Sequence, residues 1–363
     1  MAKPSRRGRG AITIEDVARA AGVSAMTVSR VVNQVKNVRE STRAAVLDAI
    51  EQLNYSPNTA ARSLAAGQAT HIGLLYANPS ASYLAQFLVG ALHAARSAGV
   101  HLVIESCESE DADEQAEVTR RFATSDVEGV ILPPPLSESE PIMAELDAMG
   151  IPVVTVAMGA PQADSLNVRI DDRAAAMEMT RYLIDLGHRE IGFIKGHPNH
   201  IASLDRYAGF RDALIEAGID PDSAPAEQGY FSYRSGLSAG ERLLSRTNRP
   251  TAIFASNDDM AAATISVAHR RGLVVPDDVS IVGFDDTALA TSVWPELTTV
   301  KQPIAAMAEA ALELMIADLR GRRKGGARKF TERVLTHAMI IRESAAPPAF
   351  ARKGGKTRAA PAI

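Results

Sequence analysis

"TIEDVARAAGVSAMTVSRVVN" (Thr13–Asn33) holds two short helical patterns with a glycine between them. Thr13 followed by Asp16 has the spacing of a capping box, with aspartate in place of the usual glutamate. Ile14, Val17, Ala18 and Ala21 then recur at helical spacing and form one apolar face. Gly22 suits a left-handed C-cap, where a side chain is penalised. Ser24 suits the cap of a second helix whose inward face is Val28, Val31 and Val32. A third helix is expected over 41–53, with Val46, Ile50 and Leu53 on one stripe. Three short helices with a Gly-bearing turn between the first two make a helix-turn-helix. Its outward face carries Ala25 and Met26, neither of which offers a side-chain donor to a base.

Working outward, the chain has 363 residues, enough for two or three compact units. Apolar content of 46 % with only 5 % aromatics points to globular cores built from Ala, Val, Leu and Ile. No apolar run approaches the 18 or so residues that a membrane helix needs. The start, "MAKPSRRGRG", is basic but lacks a following apolar region, so no secretory signal and no membrane association are expected. The single cysteine, Cys107, excludes an intrachain disulfide and suits a reducing cytoplasm; its plainer role is an inert small residue at a strand end. Residues 1–68 contain ten Lys/Arg and five Asp/Glu, a balance of +5, so the remainder carries −9 of the overall −4. A basic head on an acidic body places polyanion affinity at one end only.

The connecting stretch "NYSPNTAARSLAAGQ" (54–68) has Pro57 to stop the preceding helix and Asn58 to cap a short new one. So short a segment holds no helix alone in water, and it is expected to be helical only when something packs on it. From about residue 71 apolar runs alternate with amphipathic helices: "HIGLLY", a helix near 82–98, "VHLVIE", a helix near 111–125, "VEGVIL", a helix near 139–149, "IPVVTV". After "LNVRID" a second series follows, with helices expected at 172–186, 202–217, 232–245 and 257–271 around "EIGFIK", an extended piece at 226–230, "TAIFAS" and "VSIVGF". All-apolar strands alternating with helices imply parallel sheets covered on both faces. The fold class is therefore α/β: a helix-turn-helix head and hinge helix, then two doubly wound parallel-sheet subdomains with a ligand cleft at their strand ends. The divisions expected are a basic arm at 1–11, the head at 12–56, the hinge at 57–69, the body at 70–343 and a Pro/Ala/Lys/Arg-rich disordered tail at 344–363.

"TIEDVARAAGVSAMTVSRVVN", "RESTRAAVLDAIEQLNYSPNTAARSLA", "LIDLGHREIGFIKG", "DRYAGFRDAL", "IFASNDDMAAATI", "DDVSIVGFDDT" and "PELTTVKQP" together resemble the LacI/GalR family of bacterial transcriptional regulators. The likeness runs in order from about residue 12 to 343. It implies a body like the periplasmic sugar-binding proteins of type I, a cytoplasmic homodimer, a palindromic operator as DNA partner and a small-molecule effector, most simply a mono- or disaccharide. A tetramer is disfavoured because the Pro-rich end has no leucine heptad.

By that resemblance Ala25, Met26 and Arg30 occupy base-reading positions. Arg30 has the strongest physical case, since a guanidinium reaches guanine O6 and N7 together, whereas Ala25 and Met26 offer apolar contact and steric exclusion. Ser24, Thr27, Ser29 and Asn33 suit phosphate or base-edge contacts, and Thr13, Asn37, Tyr55 and Asn58 join them as DNA-binding candidates. Leu64 would wedge into the minor groove at the operator's centre, and Arg62 would reach phosphate or simply remain solvated. The arm "KPSRRGRG" adds salt-sensitive affinity or nothing.

In the body the resemblance brings Arg206, Asn257 and Asp285 to the cleft, with Phe231 covering the ligand. Tyr83 and Trp294 suit stacking on a sugar ring, against core or dimer packing as the plainer alternative; Asn78, Ser80 and Asp171 are further effector candidates. Arg206 and Asp285 could instead form a structural ion pair, and Asp258 and Asp286 read as capping residues. "GHPNH" (196–200) offers two histidines that read as solvated loop residues. The eight histidines are scattered and no P-loop, nucleophile elbow or paired-carboxylate pattern is evident, so no metal, cofactor or enzymatic activity is expected. The leading function is a repressor of saccharide utilisation released by sugar. The competing readings are a corepressor-dependent regulator and a solute-binding protein, the latter having no use for a basic helix-turn-helix.

Overall fold

The computed structural model describes residues 13–32, 38–53, 70–159, 165–323 and 331–349. The chain divides into two compact units, Met1–Ala69 and Thr70–Ile363.

The first unit contains α1 (Ile14–Ala20), α2 (Ala25–Val32) and α3 (Glu40–Gln52). The capping box forms as the spacing predicts: Asp16 N–H donates to Thr13 Oγ1 at 3.4 Å, and Thr13 N–H donates back to Asp16 Oδ2 at 3.0 Å. Gly22 takes a φ of 63°, which turns the chain from α1 toward α2 without a side-chain clash. Ser24 Oγ accepts the Thr27 N–H at 3.2 Å and so starts α2. Val17, Ala18, Val28, Val31, Val46 and Ala49 make the small core that all three helices share. Asn33, Asn37, Tyr55, Asn58, Arg62, Leu64 and the arm at 1–11 lie outside the described residues.

The second unit is built on two six-stranded sheets. Its elements are β1 (His71–Tyr76), α4 (Ala81–Ala98), β2 (His101–Ser106), α5 (Ala112–Ala123), β3 (Gly129–Leu132), α6 (Glu140–Ala148), β4 (Val153–Val156) and β5 (Leu166–Arg169), followed by α7 (Asp172–Asp185) and β6 (Ile191–Lys195). The chain continues through α8 (Ile201–Glu216), β7 (Ala226–Gln228), α9 (Tyr233–Leu244), β8 (Ala252–Ala255), α10 (Asp258–Arg270), β9 (Ser280–Asp285) and β10 (Thr298–Lys301). It ends with α11 (Ile304–Arg323), β11 (Thr331–Val334) and β12 (Ala338–Ile340). The first sheet runs β11-β5-β4-β3-β1-β2, all parallel; the second runs β12-β10-β9-β8-β6-β7, parallel except for β12 against β10. The strand interiors are wholly buried, as in β3, β4 and β8, which explains why their sequences are apolar without alternation.

The expected helices appear with ends shifted by a residue or two. The part of the chain after 285 adds what the alternating pattern did not announce. From β10 the chain crosses back to the first subdomain as α11, which packs on α4 and on β3, β4 and β5. It then supplies β11 to the first sheet and β12 to the second. The two subdomains are thus joined by three crossings: after β5, after β10 and between β11 and β12. One continuous apolar cluster joins Phe87 and Val156 to Phe193, Phe254 and Phe284.

The body also extends past the expected boundary at 343. Ser344 is fully buried, its N–H and O joining the backbone of the Glu296 and Ile281 region, and its Oγ accepts the Thr298 N–H at 2.9 Å. Ser280 Oγ donates to Ala346 O at 3.0 Å. Small residues are held there by backbone and hydroxyl bonds, which a reading based on apolar composition does not detect. Among the described residues no helix is long and apolar enough to cross a membrane.

Candidate functional site

In α2 the residues one turn apart, Met26 and Arg30, are both exposed, Met26 at 66 %, and Ser29 lies half-buried beside them. Ala25 is less exposed than its outward position suggests: it is half-buried and packs against the head's core. Ser24 and Thr27 pair with each other, Oγ to Oγ1 at 3.0 Å, in the cap of α2, and Thr13 serves the cap of α1. The face free to meet another molecule is therefore Met26 and Arg30, one apolar and one cationic.

In the body, the carboxyl ends of the strands face one another across a cleft, the place where open α/β sheets bind ligands. An inner cavity of about 50 Å³, room for a few hydroxyl-sized groups, is lined by Asn78, Ser80, Tyr83, Glu138, His200, Arg206, Phe231, Asn257, Asp285 and Gln302 among others. It opens into an outer groove of about 830 Å³ that shares Asn78, Glu138 and His200 and adds Glu108, Glu110, His197 and Tyr230. Seven effector candidates named from sequence thus converge: Asn78, Ser80, Tyr83, Arg206, Phe231, Asn257 and Asp285.

Two do not. Trp294 is 74 % exposed and lines neither cavity, since it lies in the loop between β9 and β10 on the protein surface. Asp171 is exposed and accepts the Ala174 N–H at 2.9 Å, capping α7. Its neighbour Asp172 holds the place expected for it. That buried carboxylate accepts Arg206 Nε at 2.8 Å, while Arg206 Nη1 donates to Ser256 O at 2.6 Å. Asp285 Oδ1 stands farther off, 3.9 Å from Nη1, so the principal ion pair of Arg206 is not the one expected. The guanidinium is also sandwiched by rings, 3.7 Å from the Phe284 centroid and 5.7 Å from that of Phe231. Burial pushes the Asp285 carboxyl well up, opposed by Arg206, and Gln302 Nε2 donates to it at 2.6 Å. Burial likewise raises Asp172, again opposed by Arg206.

Asn78 and Asn257 shape the cavity as much as line it. Asn78 Oδ1 accepts the Ser80 N–H at 2.8 Å and Nδ2 donates to Pro134 O at 3.1 Å, tying the loops after β1 and β3. Asn257 Oδ1 caps α10 through the Met260 N–H at 3.0 Å, and Nδ2 donates to Phe231 O at 2.9 Å. Phe231, with a φ of 56°, lays its ring where a side chain on Gly196 would stand. Ala157, Asp285 and Asp286 also have positive φ, at 58°, 119° and 55°, so four unusual backbone conformations gather at the strand ends around the cleft. Asp258 and Asp286 are structural, though as cross-links rather than the expected caps: Asp258 accepts from Thr287 and Thr299 hydroxyls at 3.1 and 2.6 Å, and Asp286 accepts from Arg342 at 2.7 Å.

Four cleft groups were missed in the sequence. Gln302 follows β10 in "TTVKQP"; its Oε1 and the Tyr83 Oη are buried without a hydrogen-bond partner. Glu138, on the short turn after β3, crosses the cleft and accepts the Ile201 N–H with both oxygens, at 3.1 and 3.0 Å. Its burial raises its pKa to about 7. His200, expected in a solvated loop, is 9 % exposed, stacks on Phe231 at 5.7 Å and meets the His197 ring at a tilt, 4.5 Å between centroids. Burial lowers its pKa to about 4, so the imidazole is neutral at physiological pH. His197 also meets Tyr230 edge-on at 5.6 Å; His197, His200 and Tyr230 line the groove, and Phe231 continues the row of rings into the inner cavity. Asp172 is the fourth. Among the described residues no group of three His, Cys, Asp or Glu is arranged to hold a metal.

Comparison with known proteins follows the same division of the chain. Residues 13–58 match the model of the bacterial regulatory proteins of the lacI family, and residues 180–345 match the periplasmic binding protein-like domain. Catabolite control protein A of Priestia megaterium is 36 % identical over 305 residues, covering 84 % of this chain and 91 % of the relative. Among solved structures, the complex of the transcriptional regulator CelR with cellobiose superposes with a TM-score of 0.70 at 31 % identity, covering 92 % of this chain and all of that one. The lac repressor dimer bound to operator and the anti-inducer ONPF superposes with a TM-score of 0.67 at 27 % identity, covering 93 % and 100 %.

Proposed function

The chain belongs to the lacI family of bacterial regulatory proteins, and on that premise we propose that it is a cytoplasmic homodimeric repressor. It binds a palindromic operator and leaves it when a saccharide occupies the cleft. The observation that carries the effector reading is the inner cavity itself. Ten polar or aromatic residues from both subdomains line it, with one buried donor, Tyr83 Oη, and one buried acceptor, Gln302 Oε1, lacking a partner. Such groups gain most from a polar ligand, because burying them unpaired is costly. The aromatic wall of His197, His200, Tyr230 and Phe231 suits the apolar face of a sugar ring. That a superposing regulator holds cellobiose supports the same reading.

The DNA half rests on α2. Arg30 would supply bidentate readout of a guanine, worth roughly 1–3 kcal/mol of discrimination, and Met26 apolar selection at its side. Leu64, by the family pattern, would wedge the centre of the operator. Ligand in the cleft fixes the relative position of the two subdomains, and a coupling of about 1–3 kcal/mol to operator affinity is the ordinary scale. The test is fluorescence anisotropy with a labelled fragment of the promoter beside the chain's own gene, titrated with mono- and disaccharides. We expect a salt-dependent complex that at least one sugar dissociates, raising the apparent Kd roughly 5- to 150-fold. Tightening by the sugar would establish the corepressor logic instead, and absence of a specific complex would refute the regulator reading.

A further inference from the structure

Three helices begin at the inner cavity, α4, α8 and α10, and helix N-termini are ordinarily anion sites because their first N–H groups and the positive end of the dipole point outward. In this chain each is already filled from within. Ser80 Oγ accepts the Tyr83 N–H at 3.3 Å at the start of α4. The Glu138 carboxylate, from the opposite subdomain, takes the Ile201 N–H at the start of α8. The Asn257 side chain occupies the start of α10. The cationic charge is spent in the same way. Among the described residues lining the cavity and groove, Arg206 is the only Lys or Arg, and it already serves Asp172, Ser256 O and Asp285. The groove leading in adds Glu108 and Glu110 to Glu138. An entering phosphate or carboxylate would therefore meet carboxylates on its way and find no uncommitted cation at the end.

What the cavity does leave open is neutral. Tyr83 is 6 % exposed and Gln302 3 % exposed, and their unpartnered atoms are one hydroxyl donor and one amide acceptor. Burial holds the Tyr83 phenol above its ordinary range, so it remains a donor. A hydroxyl both donates and accepts and meets either requirement.

We propose that the effector is an uncharged polyol that accepts from Tyr83 Oη and donates to Gln302 Oε1, and that the cleft rejects the phosphorylated or carboxylated form of the same sugar. This rests on the reading of the cleft as a saccharide site. It places the sensed molecule before any phosphorylating step that consumes the free sugar.

The test is isothermal titration of the full chain with matched probes: glucose and glucose 6-phosphate, ribose and ribose 5-phosphate, cellobiose and cellobiose 6-phosphate. At least one neutral member is expected to bind, with its phosphate at least 100-fold weaker. A phosphate bound within tenfold of its neutral partner overturns the proposal and leaves the saccharide cleft standing. Failure of every member overturns the saccharide reading and the proposal together. Tyr83→Phe should weaken the bound sugar by roughly tenfold or more. It should leave the ligand-free melting midpoint unchanged or higher, since the deleted hydroxyl has no partner to lose. An unaltered sugar affinity in that variant overturns the Tyr83 contact.

Discussion

Asp171 offers its carboxylate to a single N–H of α7 from an exposed position, so Asp171→Ala removes one helix cap and should cost about 1 kcal/mol. Asp172, one residue on, is 6 % exposed and neutralises a guanidinium that is itself 5 % exposed. Asp172→Ala leaves that cation buried beside only the more distant Asp285, and the expected loss is about 3–5 kcal/mol. Urea unfolding of the two variants checks the contrast; equal costs would show that Arg206 finds compensation elsewhere. The pair also marks how far the site was legible. Arg206, Asn257 and Asp285 are legible through the family motifs that carry them; Asn257 and Asp285 stand at strand ends, whereas Arg206 lies within α8. "RIDD" does not say which aspartate turns inward, since the backbone at the junction of β5 and α7 decides it. The capping rule would have separated them: the first aspartate fits the cap, three residues before Ala174, and that frees the second. Glu138 carried no such mark, because its partner, the Ile201 N–H, comes from the other subdomain, and His200 carried none because the Phe231 ring that covers it lies thirty-one residues on.

At the scale of elements, α4 presents Ser80 and Tyr83 to the cavity and is held in place along α11 through Gly90. A Cβ at Gly90 would run into the backbone of Ala305 at the start of α11. Alanine is the better helix former by about 1 kcal/mol, but the overlap is with backbone, which cannot rotate away. Gly90→Ala should therefore destabilise the body by about 1–3 kcal/mol in chemical denaturation and weaken ligand binding by shifting Tyr83. A stabilised variant would mean that α4 has room to move. Periodicity was sufficient to find α4 and the strands beside it, because an apolar strand and an amphipathic helix each declare their own period. It did not find β10, β11 and β12, which are three or four residues long, nor the return of α11 to the first subdomain. Those are facts about pairing between distant segments, and local pattern carries no record of them.

The whole body closes on itself through a few bonds that bridge the cleft. Ser80 Oγ donates to Asp259 Oδ2 at 2.6 Å, Gln86 Nε2 donates to Asp286 O at 3.3 Å, and Ile201 N–H donates to Glu138. Glu138 makes the last of these sensitive to pH. Burial raises its pKa from 4.5 to about 7, with Asp172 and Asp205 pushing the same way and the Ile201 N–H opposing. In an open or unfolded chain the carboxyl is solvated and keeps its ordinary value. The closed fold therefore binds more protons than the open one between about pH 4.5 and 7, so its relative stability is full below that window and falls as pH rises through it. His200 has the opposite sign: its value is lowered to about 4, so its contribution is present above about pH 6.5 and lost as pH falls toward 4. Glu138→Gln keeps an oxygen for the Ile201 N–H and removes the charge. It should behave like the parent near pH 5 and be more stable at pH 8, by on the order of 1–3 kcal/mol. Urea midpoints of the parent and variant, measured across that range, give the difference directly. A difference that stays flat with pH would show that Glu138 is solvated in the closed body and is not part of its closure.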